Sequence, residues 1–424
     1  MRLADSLAAL EKGPKDPPSG SVRWQHPPSH SAVLLLADAL LNHDFGHDFD
    51  IEELQQVGPR RSVLEQSLRM LASWLVQVIR ETKSLNEESA TLFQAMAAQR
   101  GAMLYRRFYE LRLRHVEGIL LQALLGNPVR SAIVLGVDLL VDTPPHSWQD
   151  SSLAISSLVQ SSHWQVADVY PRILESSDPT VIAPALDLSN LLFQDRGITP
   201  HPASERFENL LALLGGVVSR LGLLEEDPAR FSQSVSEIQQ ILFDSVSLTV
   251  SLCHTMALLG DSRAIGKLNQ AMDLRHRRIR AEAGFALAKL GDSSAVDRLL
   301  ELAEDDATRP RVLQYAKELG LGDRIRPEWQ SDEANARSIL ALQLSQPEWF
   351  AIAPQRIELV DRRDLLVPGF EHPQVCFLFR YEYDVGPHGF ANLGFSGPCV
   401  FLFPTSVLDW DYETIYEVVL QSLE

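Results

Sequence analysis

The sequence predicts a mainly α-helical chain: an α-α superhelix of stacked helical pairs, followed by a small C-terminal α+β domain. Three observations lead there. The phrase Leu-Gly-Asp occurs three times at a spacing of 31 residues, at Leu259-Gly260-Asp261, Leu290-Gly291-Asp292 and Leu321-Gly322-Asp323. Between the first two copies the match continues through Ser262/Ser293, Ala264/Ala295, Ile265/Val296 and Leu268/Leu299. A fixed period of this size marks units that bury their apolar faces by stacking on one another. Apolar residues also recur at spacings of three and four from about His30 to Leu344, the period of an α-helix. After Pro347 that period fails and alternation replaces it.

The size and charge of the chain bound its function. At 424 residues it exceeds one ordinary hydrophobic core. A hydrophobic share of 45% and a charged share of 22% are those of a globular protein. The net charge of −18 argues against a general nucleic-acid binder, which needs surplus Lys and Arg to neutralise phosphates. Three cysteines (Cys253, Cys376, Cys399) are too few and too scattered for a disulfide framework or a zinc site. All three stand among apolar residues, where a thiol packs as a small hydrophobe. A reducing, cytoplasmic location is therefore expected. Met1–Lys15 lacks the apolar core of a secretory signal. The run Val33–Leu36 is soon interrupted by Asp38 and His43, well short of the ~20 apolar residues of a membrane span.

Along the chain, residues 1–31 read as a flexible lead-in, rich in Pro, Ser and Gly at 13–20. Residues 32–240 read as an array of degenerate helical pairs. A stripe of Leu64, Leu68, Leu71, Leu75, Val78 and Ile79 continues one face for several turns. Further stripes occupy 90–125, 130–141, 151–159, 180–193, 205–223 and 236–259. Turn signals separate them, among them Gly126-Asn127-Pro128, Ser177-Asp178-Pro179 and Thr199-Pro200-His201-Pro202.

Residues 241–346 hold the clearest repeats. One helix is expected from Ile279 to Leu290, with Ala283, Ala286, Leu287 and Leu290 on one side. Gly291 then stands where a left-handed cap is required, and Asp292 or Ser293 can cap the next helix. That helix buries Ala295, Val296, Leu299, Leu302 and Ala303; one period earlier the same face holds Ala264, Ile265, Leu268, Ala271 and Met272. Each buried Leu or Val contributes roughly 1.5–3 kcal/mol, once a neighbouring unit covers it.

The stretch from Arg278-Ile279-Arg280 through Leu290-Gly291-Asp292 to Ala295-Val296 and Leu299-Leu300 resembles a HEAT repeat. More narrowly, it is similar to the short HEAT-like repeats of phycobilisome lyases and many bacterial proteins. These combine an Ile-Arg or Val-Arg opening, an Ala-rich helix, Leu-Gly-Asp, Ala-Val and paired leucines. The likeness covers about 249–323. In the third unit the Leu-Gly-Asp register persists, while the helix Arg309–Leu319 aligns better with a two-residue shift. The resemblance implies a structural role for Arg280, paired with an acidic residue of an adjacent repeat, Asp261 or Asp292. It also implies a binding surface lined by the second helices, with Lys267, Gln270, Arg298 and Glu301 as a ladder of partner contacts. Arg275, Arg277 and Arg278 exceed the structural need and suggest a local docking patch in an acidic protein.

Residues 347–424 read as the α+β cap. Cys376–Tyr383 alternates, with Phe377, Phe379, Tyr381 and Tyr383 on one face and Cys376, Leu378, Arg380 and Glu382 on the other. Gly386-Pro387-His388-Gly389 is a turn across which Phe390–Phe395 pairs back. Val400–Phe403 is another strand. Asp409 or Asp411 caps a last helix that buries Ile415, Val418, Val419 and Leu423.

Other constellations carry less. His43 and His47, four apart among aspartates, lack a third ligand, so no metal site is assigned. Arg100, Arg107 and Arg114 fall on one side of an expected long helix, with Glu110 at pairing distance. Such a face is more simply a solvated one than an anion-binding one. Glu382 and His388 form a candidate acid/base pair beside the turn. Ser396 lacks the glycine of a nucleophile elbow, because Pro398 stands there.

The function expected is a protein-interaction scaffold or adaptor, binding another protein through a helical-repeat surface, with no catalytic residues and no cofactor specified. Alternatives by resemblance of the repeat type are a chromophore lyase-like enzyme or chaperone, and a nucleic-acid-binding HEAT-like protein. Oligomeric state is not specified.

Overall fold

A computed structural model describes residues 37, 38, 41, 87–110, 114–127, 129–146, 148–160, 165–232, 234–346, 353–384, 390–404 and 407–423. The lead-in at 1–31, the segment His43–Asp50, the stripe at 64–79 and the turn carrying His388 lie outside the described residues. As expected, the described chain is mainly helical, with one four-stranded antiparallel sheet near its C-terminal end. It divides at Leu259/Gly260 into two compact units.

The first unit holds α1 (Glu87–Glu110), α2 (Arg114–Leu125), α3 (Arg130–Asp142), α4 (Trp148–Gln160), α5 (Val166–Ile173), α6 (Pro179–Arg196), α7 (Phe207–Glu226) and α8 (Val235–Leu259). Alternate helices pack side by side. One row runs α2–α4–α6–α8 and the other α1–α3–α5, with α7 laid against α8. This two-row order is that of stacked helical pairs. Local chemistry sets the helix ends. Asp178 accepts the Thr180 N–H at 2.8 Å, Pro179 opens α6, and Gly197 closes it at φ +65°. α7 and α8 are long and apolar enough, by length and composition alone, to cross a membrane; about half of the most apolar stretch of each is buried inside the unit.

Two expectations need correction here. The stripe at 90–125 is two helices, α1 and α2, packed on each other, so Arg114 does not continue the line of Arg100 and Arg107. Arg100 makes paired hydrogen bonds to Asp38 at 2.8 and 2.9 Å, and Arg107 lies 3.6 Å from Glu110. The stripes also missed α5, whose eight residues include Pro171. Its Val169, Tyr170 and Ile173 are buried all the same.

A buried polar cluster locks α6, α8 and the connection after α6 together. His201 Nε2 faces Asn190 Oδ1 at 3.1 Å, and Thr255 donates to the same oxygen at 3.1 Å. His201 Nδ1 accepts the Ala203 N–H, also at 3.1 Å, so the ring is the neutral Nε2–H tautomer. Burial, helped by the charge of His254, pulls the imidazole down from 6.5 to about 4.

The second unit holds α9 (Ile265–Met272), α10 (Arg277–Lys289), α11 (Ser293–Glu301), α12 (Arg309–Glu318) and α13 (Asp332–Leu344), then β1 (Arg356–Leu365), β2 (Gln374–Tyr383), β3 (Phe390–Ser396), β4 (Val400–Leu402) and α14 (Tyr412–Leu423). The sheet order is β1-β2-β3-β4. The aromatic face of β2 packs on α13, where Phe377, Phe379, Tyr381 and Tyr383 share a core with Leu340, Ala341 and Leu344. Gly394 on β3 makes room for this helix. A Cβ there would lie 2.8 Å from Leu340, so the close approach is of strand to helix. On the other face Cys376, Leu378, Leu393 and Phe395 pack with Ile415, Tyr416 and Val419 of α14. Asp411 caps α14 through the Thr414 N–H at 2.9 Å. The three cysteines are free thiols, and burial pushes Cys376 up to about 11.

β1 was not foreseen. Six of its ten residues are charged (Arg356, Glu358, Asp361, Arg362, Arg363, Asp364), and a bulge between Leu359 and Asp361 breaks its alternation. These are the devices that blunt an edge strand against further pairing.

Arg309, at the start of α12, is buried and joins the repeats to the sheet-bearing helix. Its guanidinium donates to the carbonyls of Ala303 (2.9 Å), Glu304 (3.2 Å) and Ala334 (3.1 Å) and to Ser338 Oγ (3.0 Å), and pairs with Asp306 at 2.7 Å. The first two carbonyls are orphan acceptors at a helix C-terminus, and the other two acceptors belong to α13.

Two outcomes are expected. Arg309→Met leaves the Ala303 and Glu304 carbonyls bare and Asp306 without its partner, and lowers stability by about 3–5 kcal/mol in urea unfolding; Arg309→Lys does not restore it, since one ammonium cannot reach all of them. The second concerns acid. His201, and His276 likewise at about 4 through burial and the charges of Arg277 and Arg278, are held neutral in the fold. Their contribution is fully present above pH 6.5 and is lost as pH falls from 6.5 towards 4. The melting temperature should fall across that window, and less steeply in His201→Gln, whose stability at pH 7.5 is already lower.

Candidate functional site

The repeat surface is built from the capping glycines outward. Gly260 and Gly291 sit at φ +70° and +86°, the left-handed conformation that ends a helix. At the second cap the Asp292 N–H reaches back to Leu287 O at 3.0 Å, and Gly291 N–H to Ala288 O at 3.1 Å. The Asp292 side chain then accepts the Ser294 N–H at 3.0 Å and starts α11, while Asp261 accepts the Arg263 N–H at 2.9 Å and starts the turn into α9.

The third Leu-Gly-Asp is not the third cap. The left-handed residue is Gly320, at φ +69°, and Leu321 N–H bonds Ala316 O at 2.7 Å, as Asp292 does to Leu287. Gly322 instead begins a 3₁₀ turn, Gly322–Arg324. The step between caps is therefore 31 residues once and 29 the next time. In place of a regular second helix, the third unit has this turn and another at Pro327–Gln330.

Inside the stack the first helices touch through buried groups. Gly284 of α10 faces both second helices: a Cβ there would lie 3.0 Å from Met272 Cε and 3.3 Å from Leu299 Cβ. Phe285 stacks on Tyr315 of α12 with ring centroids 4.0 Å apart. The Tyr315 hydroxyl donates to the buried Glu282 carboxylate, and Arg311 approaches the same carboxylate at 3.7 Å. Burial and the charge of Glu282 push the phenol well above its usual range.

On the outside, α9 and α11 bury matching faces (Ala264, Leu268, Ala271 and Met272; Ala295, Leu299, Leu302 and Ala303) and turn their polar sides to water. Lys267 donates to Gln270 within α9 at 3.3 Å. Arg298 pairs with Asp273 at 2.7 Å, and Arg324 with Asp297 at 2.5 Å, so successive units are laced by Asp–Arg pairs. Gln270 and Glu301 are exposed. Arg298, expected as a free partner contact, is thus already engaged.

The basic patch also changes. Arg275 and Arg278 are exposed, but Arg277 is half-buried, 3.6 Å from Asp305, and its charge opposes the upward push that burial gives the Tyr383 phenol. Arg280 pairs with neither expected partner, because Asp261 is bound by Arg263 and Asp292 by Ser294 and Asn269. With the 29-residue step, the position equivalent to Arg280 is Arg309, where the structural arginine is found.

In the tail, Arg380, Glu382 and Asp384 meet at a half-open cleft of about 600 Å³, together with Gln355, Arg356, Tyr383, Phe390 and Ala391. Glu382 lies between two guanidinium groups, 3.1 Å from Arg380 and 4.0 Å from Arg356. Both of its near neighbours are thus cations, and His388, its proposed partner, lies outside the described residues. Among the described residues no cluster of His, Cys, Asp or Glu is arranged to hold a metal ion.

Residues 279–305 match the PBS lyase HEAT-like repeat family, so the chain carries a HEAT-like repeat at the unit where the motif is most complete. No curated protein and no solved structure matches the chain.

The two readings of the third unit make opposite predictions. Gly291→Ala and Gly320→Ala should each cost about 1–2 kcal/mol, because an L side chain is strained in the left-handed region. Gly322→Ala should be neutral, or stabilise by up to about 1 kcal/mol. Urea unfolding of the three variants decides it.

Proposed function

We propose that this chain is a protein-interaction scaffold, and that the outward side of the second helices α9 and α11 is its contact surface. One observation carries the reading. Two successive second helices bury the same face and leave half-buried Lys267 and exposed Gln270, then half-buried Arg298 and exposed Glu301, at matching polar positions one repeat apart. A partner that follows the stack meets the same geometry at each step. The Asp273–Arg298 pair does not remove Arg298 from this role. An exposed ion pair is worth only ~0–1 kcal/mol and can be exchanged for a partner's carboxylate. Arg275 and Arg278 extend the surface with exposed positive charge.

The reading is tested by affinity capture from the native host with the full chain, in parallel with a variant carrying Lys267→Glu, Gln270→Ala, Arg298→Glu and Glu301→Lys. All four positions lie outside the apolar face, so the variant should keep its helical content and its unfolding midpoint within a few degrees. Partners retained by the native chain should be lost from the variant. Identical capture by both would refute the surface.

A further inference from the structure

The second unit also displays large apolar side chains on two tight turns. In Val367-Pro368-Gly369-Phe370 the Phe370 N–H bonds Val367 O at 3.1 Å, with Gly369 at φ +87°: proline and glycine where a type II turn needs them. In Val407-Leu408-Asp409-Trp410 the Trp410 N–H bonds Val407 O at 3.0 Å. Each turn sinks its first valine into one core, Val367 and Val407 being almost fully buried there. The residues beside them stay in water: Leu366 is 64% exposed, Phe370 46%, Trp410 41% and Tyr412 39%. Arg363 near the end of β1 reaches Glu413 at 3.4 Å and lies 4.8 Å over the Tyr416 ring, which ties the exit of β1 to the first turn of α14. The aromatic groups are therefore held by rigid, anchored backbone, the setting in which exposed Trp and Tyr serve as binding anchors.

The charge around them has one predominant sign. In Leu408-Asp409-Trp410-Asp411-Tyr412-Glu413 every second residue is a carboxylate, and all six are exposed. Asp364 and Glu371, flanking the other turn, are exposed as well. The nearby cation Arg363 is already paired with Asp361 and Glu413. Aromatic faces interleaved with carboxylates favour a cation that can sit on a ring while its N–H groups meet oxygen. They repel phosphate, so nucleic acid and anionic lipid are the wrong sign.

We propose that this surface docks a segment of a partner protein in which Lys or Arg stands next to apolar residues, with Trp410 and Tyr412 as ring platforms and Asp409, which has no ion-pair partner among the described residues, as the counter-charge. The proposal uses none of the residues of the repeat surface, so the two can fail separately.

The test is selection of a random twelve-residue peptide library on the full chain, followed by fluorescence anisotropy of the recovered peptides on native, Trp410→Ala and Asp409→Lys proteins. Both positions are exposed, and circular dichroism checks that the variants fold. Recovered peptides should be rich in Lys or Arg beside apolar residues, should bind more weakly as salt rises, and should lose about tenfold or more in affinity for each variant. Recovery of no peptides, of peptides without basic enrichment, or of peptides that bind the variants equally well would overturn the proposal. So would a dimer in sedimentation that Trp410→Ala abolishes, because the surface would then belong to a second copy of the chain.

Discussion

The second unit depends on one buried guanidinium. Arg309 sits where the repeat step shortens from 31 to 29 residues and where a second helix gives way to 3₁₀ turns. Helical repeats cover each other's apolar faces with like faces, and a sheet is not a like face. At this junction the orphan carbonyls of one helix end need donors, and α13 offers a carbonyl and a hydroxyl within reach of the same group. A single Arg with donors fixed in a plane supplies them, and Asp306 balances its charge. The aromatic face of β2 then packs on α13. Removing the arginine would disconnect two kinds of architecture rather than loosen one contact.

The rest of the stack is held by apolar faces and by a few buried polar contacts between neighbours. Gly284 lets two second helices press on α10, and Glu282, Tyr315 and Phe285 join α10 to α12. The Asp–Arg pairs on the outside are solvent-exposed and add little to stability. That division has a functional consequence. Side chains on the outer face can change with little effect on the fold, so a repeat surface can be fitted to a partner while its scaffold stays constant. The first unit follows the same logic in its two rows of helices, with the His201–Asn190–Thr255 cluster as its buried polar lock.

The proposed repeat surface and the aromatic–acidic surface differ in chemistry. The first presents mixed charges along successive helices, and the second presents rings among carboxylates on anchored turns. On the two proposals taken together, a chain with a net charge of −18 would meet one partner through exposed arginines and another through carboxylates.

The sequence by itself determined what depends on neighbours along the chain. Helical period, the caps at Gly260 and Gly291, the alternation of β2 and the cap of α14 all follow from local sterics and hydrogen bonding, and all were legible. Tertiary structure decided what depends on groups distant in sequence. β1 carries too many charges to read as a strand, and pairing with β2 makes it one. Gly322 copies the repeat phrase in letters, but packing places the left-handed cap at Gly320. Arg280 has the motif position, yet the buried carbonyls and hydroxyl that engage a structural arginine surround Arg309. The candidate surface residues were legible as polar positions on an apolar-faced helix, whereas their partners, such as Asp273 for Arg298, were not. The exposed rings at Phe370 and Trp410 could not be told from core residues in the sequence. An aromatic residue looks the same in a sequence whether it is buried or not, and only the packed turns beneath it hold it in water.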